Sequence, residues 1–356
     1  MAKQALKCNA HGDAACNQGP DYVRNKANAP RQTTPVTHQV KLRPSGHAFT
    51  VEGRETLLDA ALRAGVHLDN GCATGQCGRC RARLLSGEVV TARVGDYPFT
   101  TAEKQKGFFL TCITTAGGDI EIEAAEACSE DDIPLQSLRA SIRKIEQLEG
   151  DTALVRLRTP RSQLLRFLAG QRIRLTAPDG RQHECHVASC PCDGRNVDII
   201  VCRNQPDDLT DYLLEPGAAG TTLNLEGPFG TFLLDEESSR PLVFVAFGTG
   251  IAPVLSLIEQ AISVDHAERM DLYRVGAFPA DGRLCNLCRS WHDALENFVY
   301  HPVVETVRPE ALAAVILKAG ATNGADVSVA GPSKAVAPMK KLLEGAAHRL
   351  RLEFTD

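Results

Sequence analysis

The sequence predicts three parts: an α+β domain, a small antiparallel β-barrel, and a doubly wound α/β domain built on a parallel sheet. Three observations predict them. A hairpin-and-helix pattern precedes the spacing Cys72-x4-Cys77-x2-Cys80, which a distant Cys112 completes. Residues 139–237 carry short β-rich runs broken by turns. From residue 240 the pattern changes to alternating strands and helices.

Residues 1–36 are rich in Asn, Gln, Ala and Pro with no apolar period, and read as a mobile extension. Within them Cys8-x2-His11-x4-Cys16 offers three metal ligands, one short of a closed zinc site; stray thiols are the other reading. In the segment 37–126, Gln39–Leu42 and Phe49–Val51 alternate as two strands about a turn at Pro44-Ser45-Gly46. Residues Thr56–Gly65 read as a helix, with Leu57, Leu58, Ala61 and Leu62 on one face and Gly65 as its stop. Ala82–Val90 and Ile120–Ile122 supply further strands. Residues 127–138 read as a linker, with the charge run Glu130-Asp131-Asp132 beside Pro134.

Ala153–Arg158, Gln171–Thr176, Val197–Val201 and Thr222–Leu225 are the β-rich runs of the barrel, interrupted by a short helix over Thr210–Glu215. In the last part, residues 238–356, Pro241–Phe247 is a continuous apolar run, as for a strand buried on both faces. Gly248-Thr249-Gly250-Ile251-Ala252-Pro253 follows, opening a helix to about Ser263. Further strands are expected at 270–277, 298–304 and 326–330, with helices at 283–296, 309–319 and 334–347.

The chain has 356 residues, a formal net charge of −5 and a hydrophobic fraction of 43%. That balance leaves no basic footprint for nucleic acid. No apolar run is long enough to span a membrane, and the N-terminus lacks the apolar core of a signal peptide, so a cytoplasmic protein is expected. Thirteen cysteines are many for such a chain.

Cys72, Cys77, Cys80 and Cys112 have the plant-type 2Fe–2S spacing, with four thiolates serving two irons. Gly71, Gly75 and Gly78 allow a loop to wrap the cluster. A zinc site would more usually pair two C-x2-C units. Arg79, Arg81 and Arg83 beside the loop are expected either to dock an acidic partner and raise the cluster potential, or to form a solvated basic edge.

The order hairpin, helix, cluster loop, strands and fourth cysteine resembles the β-grasp ferredoxin fold. Gly227-Pro228-Phe229-Gly230 and the later GTGIAP turn resemble the ferredoxin–NADP reductase superfamily. With the ferredoxin domain in front, the layout is similar to reductase components of multicomponent oxygenases and to CDP-6-deoxyglucoseen reductase. The resemblance implies electron flow from a nicotinamide through FAD to the 2Fe–2S cluster and on to a redox partner such as an oxygenase. Gly248, Thr249 and Gly250 would then hold the nicotinamide pyrophosphate at a helix N-terminus. Thr210, His186 and Phe354 would face the flavin. Phe278 stands where the family commonly has an arginine, which favours NADH over NADPH.

The flavin half departs from the family pattern. His183-Glu184-Cys185-His186 replaces Arg-x-Tyr-Ser/Thr, Asp207-Asp208 stands in the second phosphate loop, and Ala330 replaces a cysteine near the nicotinamide. A lost guanidinium contact costs about 1.5–3 kcal/mol. Cys185, His186, Cys190 and Cys192 are also dense enough for a metal site. A second reading therefore stands: an electron-transfer and docking protein in which only the 2Fe–2S domain is redox-active.

Overall fold

The computed structural model describes residues 37–127, 132–148, 151–160, 163–203, 208–215, 217–235, 238–276 and 282–356. The extension with Cys8, His11 and Cys16, together with Glu130, Asp131, Asp207 and Phe278, lies outside the described residues. All described residues belong to one unit, Val36–Asp356.

In the first part β1 (Thr37–Arg43) pairs antiparallel with β2 (Ala48–Glu52). Val40, Leu42, Phe49 and Val51 alternate inward onto α1 (Leu57–Arg63), which exposes Arg63 and buries Leu57, Leu58 and Ala61. Thr56 caps the helix by accepting the Asp59 N–H at 3.1 Å. After the cluster loop come β3 (Arg81–Ser86), β4 (Val89–Thr91), α2 (Thr101–Gln105), β5 (Phe108–Leu110), β6 (Thr114–Ala116) and β7 (Ile120–Ala124). The main sheet runs β2-β1-β7-β3-β5, with β1 and β7 parallel, as the expected β-grasp arrangement requires. The expected single strand 82–90 is split into β3 and β4, which enter different sheets.

The barrel comprises β8 (Gln136–Gln147), β9 (Thr152–Arg158), β10 (Arg172–Thr176), β11 (Gln182–His186), β12 (Asn196–Cys202), α3 (Asp208–Leu213) and β13 (Thr222–Phe229). Its order is β11-β10-β13-β8-β9-β12, and the bridge Val187–Ile199 brings the two edges together. Strand β8 begins inside the segment expected as linker, because the inward alternation Leu138, Ala140, Ile142 already starts there.

The last sheet is all parallel, in the order β16-β15-β14-β17-β18: β14 (Leu242–Phe247), β15 (Met270–Gly276), β16 (Phe298–Val304), β17 (Asp326–Gly331) and β18 (Arg349–Phe354). Helices α4 (Ile251–Ser263), α5 (Arg283–Ala294), α6 (Pro309–Lys318) and α7 (Ser333–Leu343) are the crossovers. Central strand β14 is buried throughout, whereas edge strand β18 was not foreseen; its alternation of Arg349, Arg351 and Glu353 with Leu350 and Leu352 suits a half-covered edge. The chain turns from one side of β14 to the other, so a crevice opens at the carboxyl ends of β14 and β17.

Helix α4 also supports the first domain: Gln260 Nε2 donates to the Gly65 carbonyl at 2.8 Å. Gly65 has φ +76°, and a Cβ there would lie 2.4 Å from Ser263 Oγ, so the helix stop doubles as a docking point. Among the described residues no helix is long and apolar enough to cross a membrane.

Candidate functional site

The four predicted cluster cysteines come together around the loop 71–80 and the turn after β5. Cys80 and Cys112 are buried with their sulfurs 3.1 Å apart, Cys72 is partly buried and Cys77 exposed. Cys72 Sγ accepts the N–H groups of Thr74, Gln76 and Cys77, each at 3.4 Å, and Cys77 Sγ accepts the Cys72 N–H at 3.3 Å. Burial works against ionisation of Cys72, but the Thr74 side chain and these N–H groups outweigh it and hold the thiol down at about 6. The hydrogen bond with Cys112 holds Cys80 down at about 7; the same bond, with burial, pushes Cys112 up. Amide groups aimed at sulfur are what thiolate ligands need. The cradle is tight: a Cβ at Gly71 would lie 2.9 Å from Cys77 Sγ. The residues fit a cluster.

The arginines beside this loop are not a bare basic edge. Arg79 pairs with Asp69 at 3.2 Å, Arg81 with Glu103 at 2.9 Å and Arg83 with Glu123 at 2.6 Å. The linear spacing did not reveal these acidic neighbours, which partly neutralise the edge.

A cleft of about 750 Å³ lies between β11 and the parallel sheet, within the usual size of a ligand site. Arg172, His183, Glu184, His186, Thr249 and Phe354 line it, with Lys334 and Asp356 at its side. His186 and Phe354 both stand in the cleft. His186 Nε2 lies 2.9 Å from Glu353 Oε1. Thr210 does not line it; it is fully buried on α3, so its expected flavin contact is corrected. Cys185 pairs with Ile173 and is buried among the barrel's core residues, and it borders the cleft beside His183 and His186.

The cleft's cation comes from the neighbouring strand. Arg172 is in register with His186 and so shares its face, and its Nη1 meets Glu184 at 3.1 Å. Its Nε is buried without a hydrogen-bond partner, 3.6 Å from Glu353 Oε1. A buried guanidinium N–H lacking an acceptor fits an anionic or acceptor-rich ligand, so the cleft suits FAD although the family arginine position is His183. Sequence reasoning missed Arg172 and Glu353; the register of β10 against β11 is the signal that finds the former.

A second cleft, about 770 Å³, opens at the carboxyl ends of β14, β15 and β16, lined by Gly248, Arg274, Gly276, Glu305, Thr306 and Pro332 among others. It shares Ile200, Pro332 and Lys334 with the first. Gly248 has φ +55° and nothing within 4 Å of a built Cβ, so its backbone is open to a ligand. Gly250 has a different job: a Cβ there would lie 2.3 Å from the Ala330 carbonyl, so it lets the helix turn press onto β17. Thr249 faces the first cleft and its hydroxyl bonds that of Thr355 at 3.2 Å. Arg274, also missed, is a buried cation beside the second cleft, donating to Cys285 Sγ at 3.4 Å.

The expected metal set at Cys185, His186, Cys190 and Cys192 is not assembled. Cys185 is in the barrel core, His186 is engaged by Glu353, and Cys190 and Cys192 form a disulfide.

Fold and site together define an iron–sulfur reductase: a ferredoxin domain joined to a barrel and a nucleotide-type sheet. Residues 40–117 match the 2Fe-2S iron-sulfur cluster binding domain. The chain is 33% identical over 267 residues to the CDP-6-deoxy-L-threo-D-glycero-4-hexulose-3-dehydrase reductase of Yersinia pestis, covering 74% of this chain and 79% of that protein. It is 29% identical to the propane 2-monooxygenase reductase component of Rhodococcus jostii, over 68% and 67% of the two chains. The crystal structure of an Amycolatopsis cytochrome P450 reductase superposes with TM-score 0.54 at 25% identity, covering 89% and 98%. The chain belongs to the ferredoxin–NADP reductase superfamily, among its electron-transfer reductases that carry a 2Fe–2S ferredoxin domain.

Proposed function

We propose that the protein takes electrons from NADH through FAD to its 2Fe–2S cluster and delivers them to a partner protein, an oxygenase or a sugar dehydrase of the kind its relatives' names describe. The observation that carries this reading is the pair of clefts meeting at Ile200, Pro332 and Lys334, one at the nucleotide crevice and one against the barrel. A flavin supplies the conversion of a two-electron hydride into single electrons that a cluster accepts.

The chain's own residues do the rest. Gly248 opens the backbone at the turn entering α4, where a helix N-terminus favours a diphosphate. Arg172 and Lys334 supply positive charge, and Arg172 Nε waits for an acceptor. His186, held by Glu353, presents a ring nitrogen at the cleft wall. Glu305 at the nucleotide cleft disfavours a ribose phosphate by like charge, which agrees with NADH. The segment after β11 runs from His186 in the cleft to Pro191, which lines a void with Gly71 and Ala73 of the cluster loop, so a bonded path leads from the cleft to the edge of that loop.

The test is an anaerobic addition of NADH to purified protein reconstituted with FAD. Released flavin on denaturation and bleaching of the cluster absorbance are expected. Iron and sulfide without flavin, and no bleaching by NADH, would favour the docking-protein reading.

A further inference from the structure

Arg166 crosses from the barrel to the cluster domain. Its neighbours Leu165 and Phe167 are buried in the barrel core, and its backbone is pinned to Gln136 by bonds of 2.7 and 3.0 Å. Alternation sends the Arg166 side chain the other way. Its Nη1 donates to the Asn70 carbonyl, one residue before Gly71 and two before the ligand Cys72, and its Nη2 lies 3.6 Å from Asp69 Oδ1. The side chain is only 8% exposed. The adjoining void, lined by His67, Asn70, Gly71, Ala73 and Arg166, measures about 20 Å³, space for roughly one water. Burial pushes the guanidinium down to about 10, which leaves it charged at neutral pH, and the Cys77 sulfur is near enough to bear on it.

We propose that Arg166 is a positioning residue that docks the cluster loop onto the barrel and, through a charge shielded from bulk water, favours the reduced cluster. Reduction adds one electron, and so one negative charge, to the cluster. A fixed cation nearby stabilises that state, and low local dielectric keeps the effect large. Asp69, which also holds Arg79, opposes it with the reverse sign. The inference rests on the cluster alone and not on flavin or nicotinamide.

The experiment is a redox titration of the full holoprotein with dithionite and mediators, read by cluster absorbance and by the electron paramagnetic resonance of the reduced form. A chemical reductant makes the readout independent of the NADH route, so the two readings fail separately. Arg166→Gln is expected to lower the reduced-to-oxidised ratio at fixed potential about tenfold, which is about 59 mV for a one-electron couple. Arg166→Lys should restore most of that shift. Asp69→Asn should move the ratio the opposite way. Should Arg166→Gln fail to hold its cluster, Arg166→Lys and Asp69→Asn decide. Shifts of the same sign in Arg166→Gln and Asp69→Asn, or no shift in Asp69→Asn, would overturn the proposal, since loosened packing has no reason to reverse sign with charge.

Discussion

His186 Nε2 sits 2.9 Å from Glu353 Oε1, tying the end of barrel strand β11 to edge strand β18 of the parallel sheet. Both side chains are largely buried, so the contact fixes one wall of the cleft against the other. Glu353 also lies 3.6 Å from Arg172 Nε. One carboxylate thus meets both the histidine and the arginine of the cleft wall.

Flavin retention is expected to depend on Arg172, which lines the cleft with a buried, unsatisfied Nε. Arg172→Gln removes the orphaned donor and leaves Glu184 to Arg174 alone and Glu353 to His186 alone. The expected loss is that of a charged hydrogen bond, about 1.5–3 kcal/mol, or roughly ten- to a hundredfold in FAD affinity. Flavin fluorescence after gel filtration measures it. Full retention by the variant would remove Arg172 from the site.

The two glycines of the turn should part company. Gly248→Ala forces a non-glycine residue to φ +55°, which costs about 1–2 kcal/mol, and its methyl projects into open space. Gly250→Ala places a methyl 2.3 Å from the Ala330 backbone, which cannot swing aside as a side chain would; overpacking of this kind costs about 1–3 kcal/mol or more. Thermal melts should fall further for Gly250→Ala. The NADH KM of Gly248→Ala should rise while kcat holds. Equal melts would show that β17 yields.

The packing around α4 should respond to pH through two opposed groups, His67 of the ferredoxin domain beside Gln260 and Glu259, which accepts the Cys190 N–H of the barrel. Burial lowers His67 to about 4, and burial raises Glu259 to about 7. For His67 the unfolded chain binds the extra proton between about pH 6.5 and 4, so its contribution is complete above that window and lost as pH falls through it. For Glu259 the folded chain holds the extra proton between about pH 4.5 and 7, so its contribution is complete below that window and lost as pH rises through it. The two largely cancel near pH 5–6. Glu259→Gln should expose the histidine, with a melt that falls as acid is added; His67→Gln should expose the carboxyl, with a melt that falls toward neutrality. Parallel pH profiles in the two variants would contradict both assignments.

The three domains were legible because each rests on a local signal. Cysteine spacing marks the loop, period-two alternation marks the barrel strands, and the apolar run of β14 marks a strand buried on both faces. Edge strand β18 was not legible, since half its residues are charged and only pairing with β17 makes it a strand. The site was legible where chemistry is local, as at Cys72, Cys77 and Cys80, and lost where it depends on register. Cys185 occupies a flavin position by alignment and borders the cleft from the barrel core, while Arg172 reaches the cleft from the next strand. Thr210 matches a motif, but α3 turns it inward. The arginines around the cluster read as a basic edge only because their carboxylate partners are 10 to 40 residues away.

Loop closure over the cluster depends on Gly78 for space as well as for backbone angle. Gly78 has φ +75°, and a Cβ there would lie 2.1 Å from the Tyr97 ring. Tyr97 is anchored: its N–H bonds the Gly75 carbonyl at 3.0 Å and its ring meets Phe99 edge-on at 4.8 Å. Gly46 provides the control, with φ +84° and nothing within 4 Å. Both alanine variants carry the same backbone penalty, so any difference between them reports the Tyr97 clash. Gly78→Ala should release iron to a chelator at least several-fold faster than wild type and lose visible absorbance in step, while Gly46→Ala keeps its cluster. Equal release from the two would mean that Tyr97 moves freely and that the loop closes without it.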